Sequence, residues 1–163
     1  MGRDVLVNLY EIPDAAPAIQ RCRDEGVNIR RPRSYEMGIL LRWITRHFSA
    51  GWATEVVVCF GNHPVSAFIA TEGGHLRGFC CYDSCGPNMV GPIGVADSAR
   101  GRGIGAALLL ASLHAERDAG FYYAVIPDAG GHGLYTGLAK GIQLPWANVV
   151  HVDRLARDAS HNP

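Results

Sequence analysis

Met37, Leu40, Leu41, Ile44 and Phe48 recur at helical spacing behind Ser34, a residue suited to the N-cap, and predict an amphipathic helix with one buried stripe. A second helix is predicted over 13–25, with Pro17 near its first turn and Gly26 just past its end. Strand patterns surround these helices. Residues 4–10 place Val5, Val7 and Leu9 on one side and Leu6 on the other, and 27–31 form a short run that Pro32 ends. Apolar runs over 65–71 and 76–82 flank Gly73-Gly74 and predict a hairpin. Residues 88–95 read as the next strand, interrupted by Pro92; a proline cannot donate to a ladder, so it marks an edge, a bulge or a splay.

The later half is more apolar. Residues 104–119 form a helix that is apolar almost all round for two turns, with His114, Glu116, Arg117 and Asp118 near its exit, so it is expected to be buried against a sheet. Residues 121–126 are continuously apolar, which suits a parallel strand covered on both faces. A glycine-rich loop over 128–133, a short helix over 134–139 and a closing strand around Val149, Val150 and Val152 complete the reading, with a polar tail from Arg154.

Composition narrows the class. The chain has 163 residues, 48% of them apolar, and a formal net charge of zero. That is enough to bury one core, and it carries no global field to suggest nucleic acid or a membrane surface. The basic cluster Arg30-Arg31-Pro32-Arg33 lacks interleaved aromatics and is read as a solvated face. No apolar run approaches a membrane span, and no signal peptide is visible behind Met1. Five cysteines form no C-x-x-C pair and are odd in number, so reduced thiols in a cytoplasmic protein are expected. His63 and His75 have no partner at metal-ligand spacing, and no metal is expected.

The candidate chemistry begins at Arg100-Gly101-Arg102-Gly103-Ile104-Gly105-Ala106, between a strand and the apolar helix. The first N–H groups of a helix are unpaired and lie at the positive end of its dipole, so anions settle there. Gly103 and Gly105 let a phosphate oxygen reach the main chain, and Arg100 and Arg102 bring forked donors beside them. A pyrophosphate cradle follows. A P-loop would need Lys and Ser or Thr where Ala106-Ala107 stands. A dinucleotide fingerprint matches Gly101, Gly103 and Ala106, with Asp128 about 20 residues on. Against it, residues 96–100 separate the strand from the first glycine, and too little chain follows for a doubly wound sheet.

The third pattern, Arg/Gln-x-x-Gly-x-Gly/Ala, is matched by Arg100, Gly103 and Gly105. Here the sequence resembles the Gcn5-related N-acetyltransferase superfamily, most clearly over 88–142 and more weakly upstream to about Val27. The resemblance implies an α/β fold with a mixed, mostly antiparallel twisted sheet, flanked by helices and splayed between central strands. It also places a helix over 52–60, although Val56-Val57-Val58 has the composition of a strand. On this view 27–153 is the acyltransferase domain, 1–26 an N-terminal strand-helix extension and 154–163 a tail.

The implied activity is acetyl transfer from acetyl-CoA to an amine in a ternary complex. Ile93, Gly94 and Val95 would pair with the pantetheine arm, and the segment Arg100, Gly101, Arg102, Gly103, Ile104, Gly105 and Ala106 would hold the pyrophosphate. Tyr135 stands where many members carry the acid that protonates the departing thiolate. The strand over 88–95 lacks the carboxylate that many members use as base, leaving Asp83, Asp128 and His132 as candidates. Two rival readings are a non-catalytic CoA-binding sensor and a nicotinamide-dependent oxidoreductase. Homodimers are common in the superfamily, but no stretch here marks an interface.

Overall fold

A computed structural model of the protein describes residues 3–130 and 133–145. Among these residues seven strands form two sheets, flanked by four α-helices. Strands β2 (Val27–Arg30), β3 (Ala67–Glu72), β4 (His75–Tyr82) and β5 (Val90–Val95) form an antiparallel sheet in chain order. The second sheet has β1 (Arg3–Asn8) at its centre, antiparallel to both β6 (Tyr123–Ala129) and β7 (Ile142–Gln143). Where the predicted closing strand lies, beyond residue 145, is outside the described residues.

The first sheet is covered on both faces, and its alternation shows why. Ala67, Ile69, Phe79 and Cys81 point into a core with Leu40, Ile44, Val56 and Cys59 from α2 (Met37–His47) and α3 (Ala50–Gly61). Ala70, Cys80 and Tyr82 point the other way, into a core with α4 (Ile104–Asp118) and α1 (Ala16–Asp24). Successive side chains of a strand face opposite sides, so one hairpin feeds both cores.

Helix α3 settles the segment that reads equally as strand. Ser49 caps it by accepting the Trp52 N–H at 3.1 Å, and Val56 and Cys59 are fully buried on its inner face. Capping and packing outweigh the β-preference of three consecutive valines. Ser34, by contrast, is no N-cap. It opens a 3-10 turn (Ser34–Glu36), and the side chain of Glu36 accepts the Arg33 N–H at 2.7 Å.

Two further expectations are corrected. Strand β6 is antiparallel to β1 rather than set in a parallel ladder, and Tyr123 on it is half-exposed. Arg31 is not a solvated charge: its guanidinium lies 4.5 Å above the Phe68 ring and donates to the Val65 carbonyl and the Tyr82 hydroxyl.

The two sheets meet at one point and then part. The Val125 N–H donates to the Asn88 carbonyl at 2.9 Å, and Met89 bridges Val125 in parallel. Beyond that bridge β5 pairs with β4 alone among the described residues. The register of β4 on β5 slips by one residue between Tyr82↔Val90 and Cys80↔Ile93, a bulge beside Pro92, one of the three irregularities that the proline marks. The parting strands leave a gap between the two sheets.

Candidate active site

Two clefts meet in this gap. The first, about 340 Å³, runs along Ile93, Gly94 and Val95 of β5 to the turn at Arg100, Gly101 and Gly103 and the start of α4 at Ile104 and Gly105. The second, about 540 Å³, lies towards β6 and holds Glu55, Cys85 and Asp128. Trp52, Ile93 and Tyr135 line both, so these three residues stand at the junction.

The turn before α4 has the features of an anion site. Gly103 is the N-cap in a left-handed conformation (φ 75°), and no side chain caps the helix. Gly101 is also left-handed (φ 78°), and nothing stands within 4 Å of where a Cβ on either glycine would lie. The backbone is therefore bare on the outside of the turn, with the unpaired N–H groups of the first helical turn beside it. Helix α4 is anchored behind it: Ile104, Ala107 and Leu108 are fully buried. A diphosphate fits this geometry.

The two arginines differ. Arg100 lines the first cleft, with its guanidinium 3.0 Å from Asp97. Arg102 turns away and binds Glu72 at 2.9 Å and Glu25 at 3.3 Å, tying the turn to β3 and to the end of α1. Hydrogen bonds from Arg102, and then from Arg77 at 2.8 Å, hold Glu72 below the usual carboxylate range. Ala106 is half-buried and does not line the cleft.

Aromatic residues build the facing wall. Phe48, between α2 and α3, stacks on Trp52 with centroids 5.3 Å apart and packs against Trp43 and Phe79 at 5.6 and 5.7 Å. Tyr135 sits in a wide π-type turn (Gly133–Leu138) instead of an ordinary α-helix, and its carbonyl accepts the Gly141 N–H at 3.0 Å. Such turns re-aim side chains and recur at functional sites. Burial, and secondarily Cys80, pushes the Tyr135 phenol up to about 12. It stays protonated at neutral pH and is a donor.

The three candidate bases are placed differently. Asp128 lines the second cleft at a left-handed position (φ 48°), its N–H bonded to Oδ1 of the buried Asp4 at 3.0 Å. Asp83 does not reach the junction. Its Oδ1 accepts the Asn88 N–H at 2.8 Å, and it lines a separate cavity with Arg31, His63 and His114. His132 lies outside the described residues.

Sequence reasoning missed Glu55. Its Oε2 accepts the Cys85 thiol at 3.2 Å from inside the second cleft. A lone glutamate on a helix has no motif to mark it, although its place three residues after Trp52 puts both on one helical face. Desolvation, and then Glu55, pushes the Cys85 thiol up to about 11, which leaves it a poor nucleophile. Among the described residues no group of three or more His, Cys, Asp or Glu could hold a metal ion, and no helix is long and apolar enough to cross a membrane.

Comparison with known proteins agrees with this geometry. A region of a fungal multi-domain GH3 β-N-acetylglucosaminidase, described as a GCN5-related glucosamine N-acetyltransferase region, superposes with a TM-score of 0.70 at 15% identity. The match covers 87% of this chain and 19% of that one. A GCN5-related N-acetyltransferase from Sphaerobacter thermophilus gives 0.66 at 20% identity, covering 87% of this chain and 48% of that one. A GNAT family acetyltransferase from Brucella melitensis, solved in complex with acetyl-CoA, gives 0.55 at 19% identity over 75% of this chain and 93% of that one. The chain thus spans about a fifth and about half of the first two proteins. No curated protein matches it. The family model of the acetyltransferase (GNAT) family matches residues 34–139, from the turn before α2 through the Tyr135 segment, and the chain belongs to that family.

Proposed function

We propose that the protein is an N-acetyltransferase that moves the acetyl group of acetyl-CoA to an amine by direct transfer in a ternary complex. The observation that carries this reading is the meeting of the two clefts at Tyr135: the bare glycine turn ends one, and carboxylates line the other. Acetyl-CoA would supply the thioester, its diphosphate at the Arg100–Gly105 turn and its pantetheine arm along Ile93–Val95.

The chain's residues then have separate tasks. The α4 N-terminus and β5 orient the donor, which supplies the positional part of the rate. Trp52 and Ile93 keep the junction apolar. A new N–C bond forms as the C–S bond breaks; the Tyr135 hydroxyl donates its proton to the departing sulfur and is reprotonated by the proton that the newly acylated nitrogen sheds. The ammonium proton of the acceptor leaves to a carboxylate of the second cleft or to water bound there. Cys85, held as a thiol, is not suited to carry the acetyl group, which favours direct transfer over an acyl-enzyme.

The strand β5 itself carries no carboxylate, a feature that would suit a non-catalytic acyl-CoA sensor. Glu55 from α3 and Asp128 from β6 supply that chemistry from the neighbouring elements, which favours catalysis. The test is thiol release from acetyl-CoA with a panel of primary amines, with NADH binding as the control for the oxidoreductase alternative. Amine-dependent thiol release supports the reading. Acetyl-CoA binding without turnover of any amine supports the sensor, and NADH binding alone supports the oxidoreductase.

A further inference from the structure

A third cleft, of about 690 Å³, opens on the α1/α4 side of the first sheet and shares no lining residue with the two that meet at Tyr135. Its size is that of a small-molecule pocket. At about 1.5 Å of rise per residue, α4 carries Ala115 in its wall roughly 18 Å from Gly103.

Arg31 is the organising group. Its guanidinium is half-buried, 4.5 Å from the Phe68 ring centroid and 5.5 Å from that of Tyr82. Its bonds to the Val65 carbonyl and the Tyr82 hydroxyl both use Nη1, so Nε and Nη2 keep their N–H groups without a protein partner among the described residues. Nor does Arg31 pair with a carboxylate there, although Asp83 and Asp118 line the same cleft. A guanidinium fixed by two rings and two bonds has already lost its side-chain freedom, and its remaining edge matches a planar carboxylate.

The other polar groups have the opposite character. Nδ1 of His63 donates to the Asn62 carbonyl and Nε2 of His114 to the Pro13 carbonyl, each at 2.8 Å. In the neutral rings the nitrogens left over are acceptors. Asp83 adds a carboxylate, with Oδ1 on the Asn88 N–H, and Asp118 a second beside Arg117 at 3.2 Å. One donor fork and several acceptors in one cleft suit a ligand that carries both signs of charge. Inorganic phosphate meets Arg31 equally well but is repelled by the two aspartates. Ile19 of α1 and Ala111 and Ala115 of α4 supply an apolar wall with room beside the alanines.

We propose that this cleft is a second ligand site, for a free α-amino acid with an apolar side chain. Its carboxylate lies on the Arg31 fork, its ammonium group among Asp83, His63 and His114, and its side chain against Ile19, Ala111 and Ala115. The site does not depend on acetyl transfer.

The test is calorimetric titration of the full chain with L-leucine, L-leucinamide, isocaproate and inorganic phosphate. Leucinamide lacks the carboxylate and isocaproate the ammonium group, so each is expected to bind the wild type about tenfold or more weakly than leucine. Arg31→Lys keeps the charge but loses the fork, and should weaken leucine by a similar factor. Ala115→Leu fills the cleft and leaves the Arg31 bonds in place; it should abolish leucine binding in a chain that circular dichroism shows to be folded. The ligand comparison makes the same point on the wild type alone, where folding is not at issue. Absence of leucine binding, phosphate binding in its place, equal affinity for leucine and leucinamide, or leucine affinity unchanged in both variants overturns the proposal. No arm uses acetyl-CoA, so these outcomes are distinct from failure of the acetyltransferase reading.

Discussion

The ring of Phe48 lies against the backbone of Gly94, so close that a Cβ on Gly94 would sit 2.5 Å from its Cζ and 2.8 Å from two further ring carbons. Glycine is needed there for space, since its φ lies outside the left-handed range. The contact sets the width of the first cleft, because both residues line it. Gly94→Ala is expected to force Phe48 off β5 into the cleft, to destabilise the fold by about 1–3 kcal/mol and to weaken acetyl-CoA binding at least tenfold. Adding Phe48→Ala removes the clash, so the double variant regains part of the affinity. Calorimetric titration of both variants checks this. Equal affinity of Gly94→Ala and the wild type would show that the wall is free to move.

Tyr135→Phe removes the phenolic donor at the junction and leaves the ring in its buried place. The expected loss is about 10²–10⁴ in kcat, with KM for acetyl-CoA changed little. Because the phenol is raised to about 12, it remains protonated through the usual assay range, and no alkaline limb of the wild-type profile below about pH 10 belongs to it. A steady-state pH profile of both proteins is the check, and a variant with undiminished kcat removes Tyr135 from the chemistry.

Arg102 separates the two arginines of the motif. Its ion pairs with Glu72 and Glu25 brace the turn from behind, whereas Arg100 stands in the cleft. Both Arg102 pairs are partly exposed, so Arg102→Ala is expected to lower stability only slightly and acetyl-CoA affinity by only a few fold. Arg100→Ala should leave stability unchanged and weaken binding more, with a reduced dependence on salt. Urea titrations and binding isotherms at two salt concentrations distinguish these outcomes.

Glu116 on α4 is fully buried beside Asp83, with no cationic partner among the described residues. Burial, and then the nearby Asp83, pushes it from an ordinary value of 4.5 up to about 8. The folded protein therefore keeps a proton that the unfolded chain has lost. Its contribution is complete below about pH 4.5 and is lost as pH rises through about 8, with a ceiling on the order of 5 kcal/mol. Glu116→Gln should flatten the stability profile across that window. Urea unfolding at pH 5 and pH 8 reads the difference directly; equal slopes in the two proteins would contradict it.

The form of the turn before α4 was legible because its signals are local. Glycines at positive φ, an uncapped helix start and an apolar helix behind them lie within about a dozen residues, and Pro92 marked β5 as irregular without saying whether as edge, bulge or splay. Tyr135 was found through the resemblance of its surroundings, not through any property of a lone tyrosine. What escaped the sequence depends on pairing at a distance. Nothing local in 3–8 says that β1 will lie between β6 and β7, more than 110 residues later in the chain. The same pairing makes β6 antiparallel, which its apolar run alone does not specify. The placement of Arg102, Glu55 and Asp83 could not be read locally, because it follows from partners at Glu72, Cys85 and Asn88.

The central claim is that the Gly103 turn holds the diphosphate of acetyl-CoA, and calorimetric binding to three proteins tests it most directly. Gly103→Glu brings a side chain and a negative charge to the turn. Gly103→Asn keeps the charge neutral in a residue that tolerates the left-handed conformation (φ 75°), and so accounts for backbone strain. The account predicts acetyl-CoA binding by the wild type, weaker binding by the asparagine variant and a loss of at least a hundredfold in the glutamate variant, with all three folded. Undiminished acetyl-CoA binding by folded Gly103→Glu would place the diphosphate elsewhere and contradict the account.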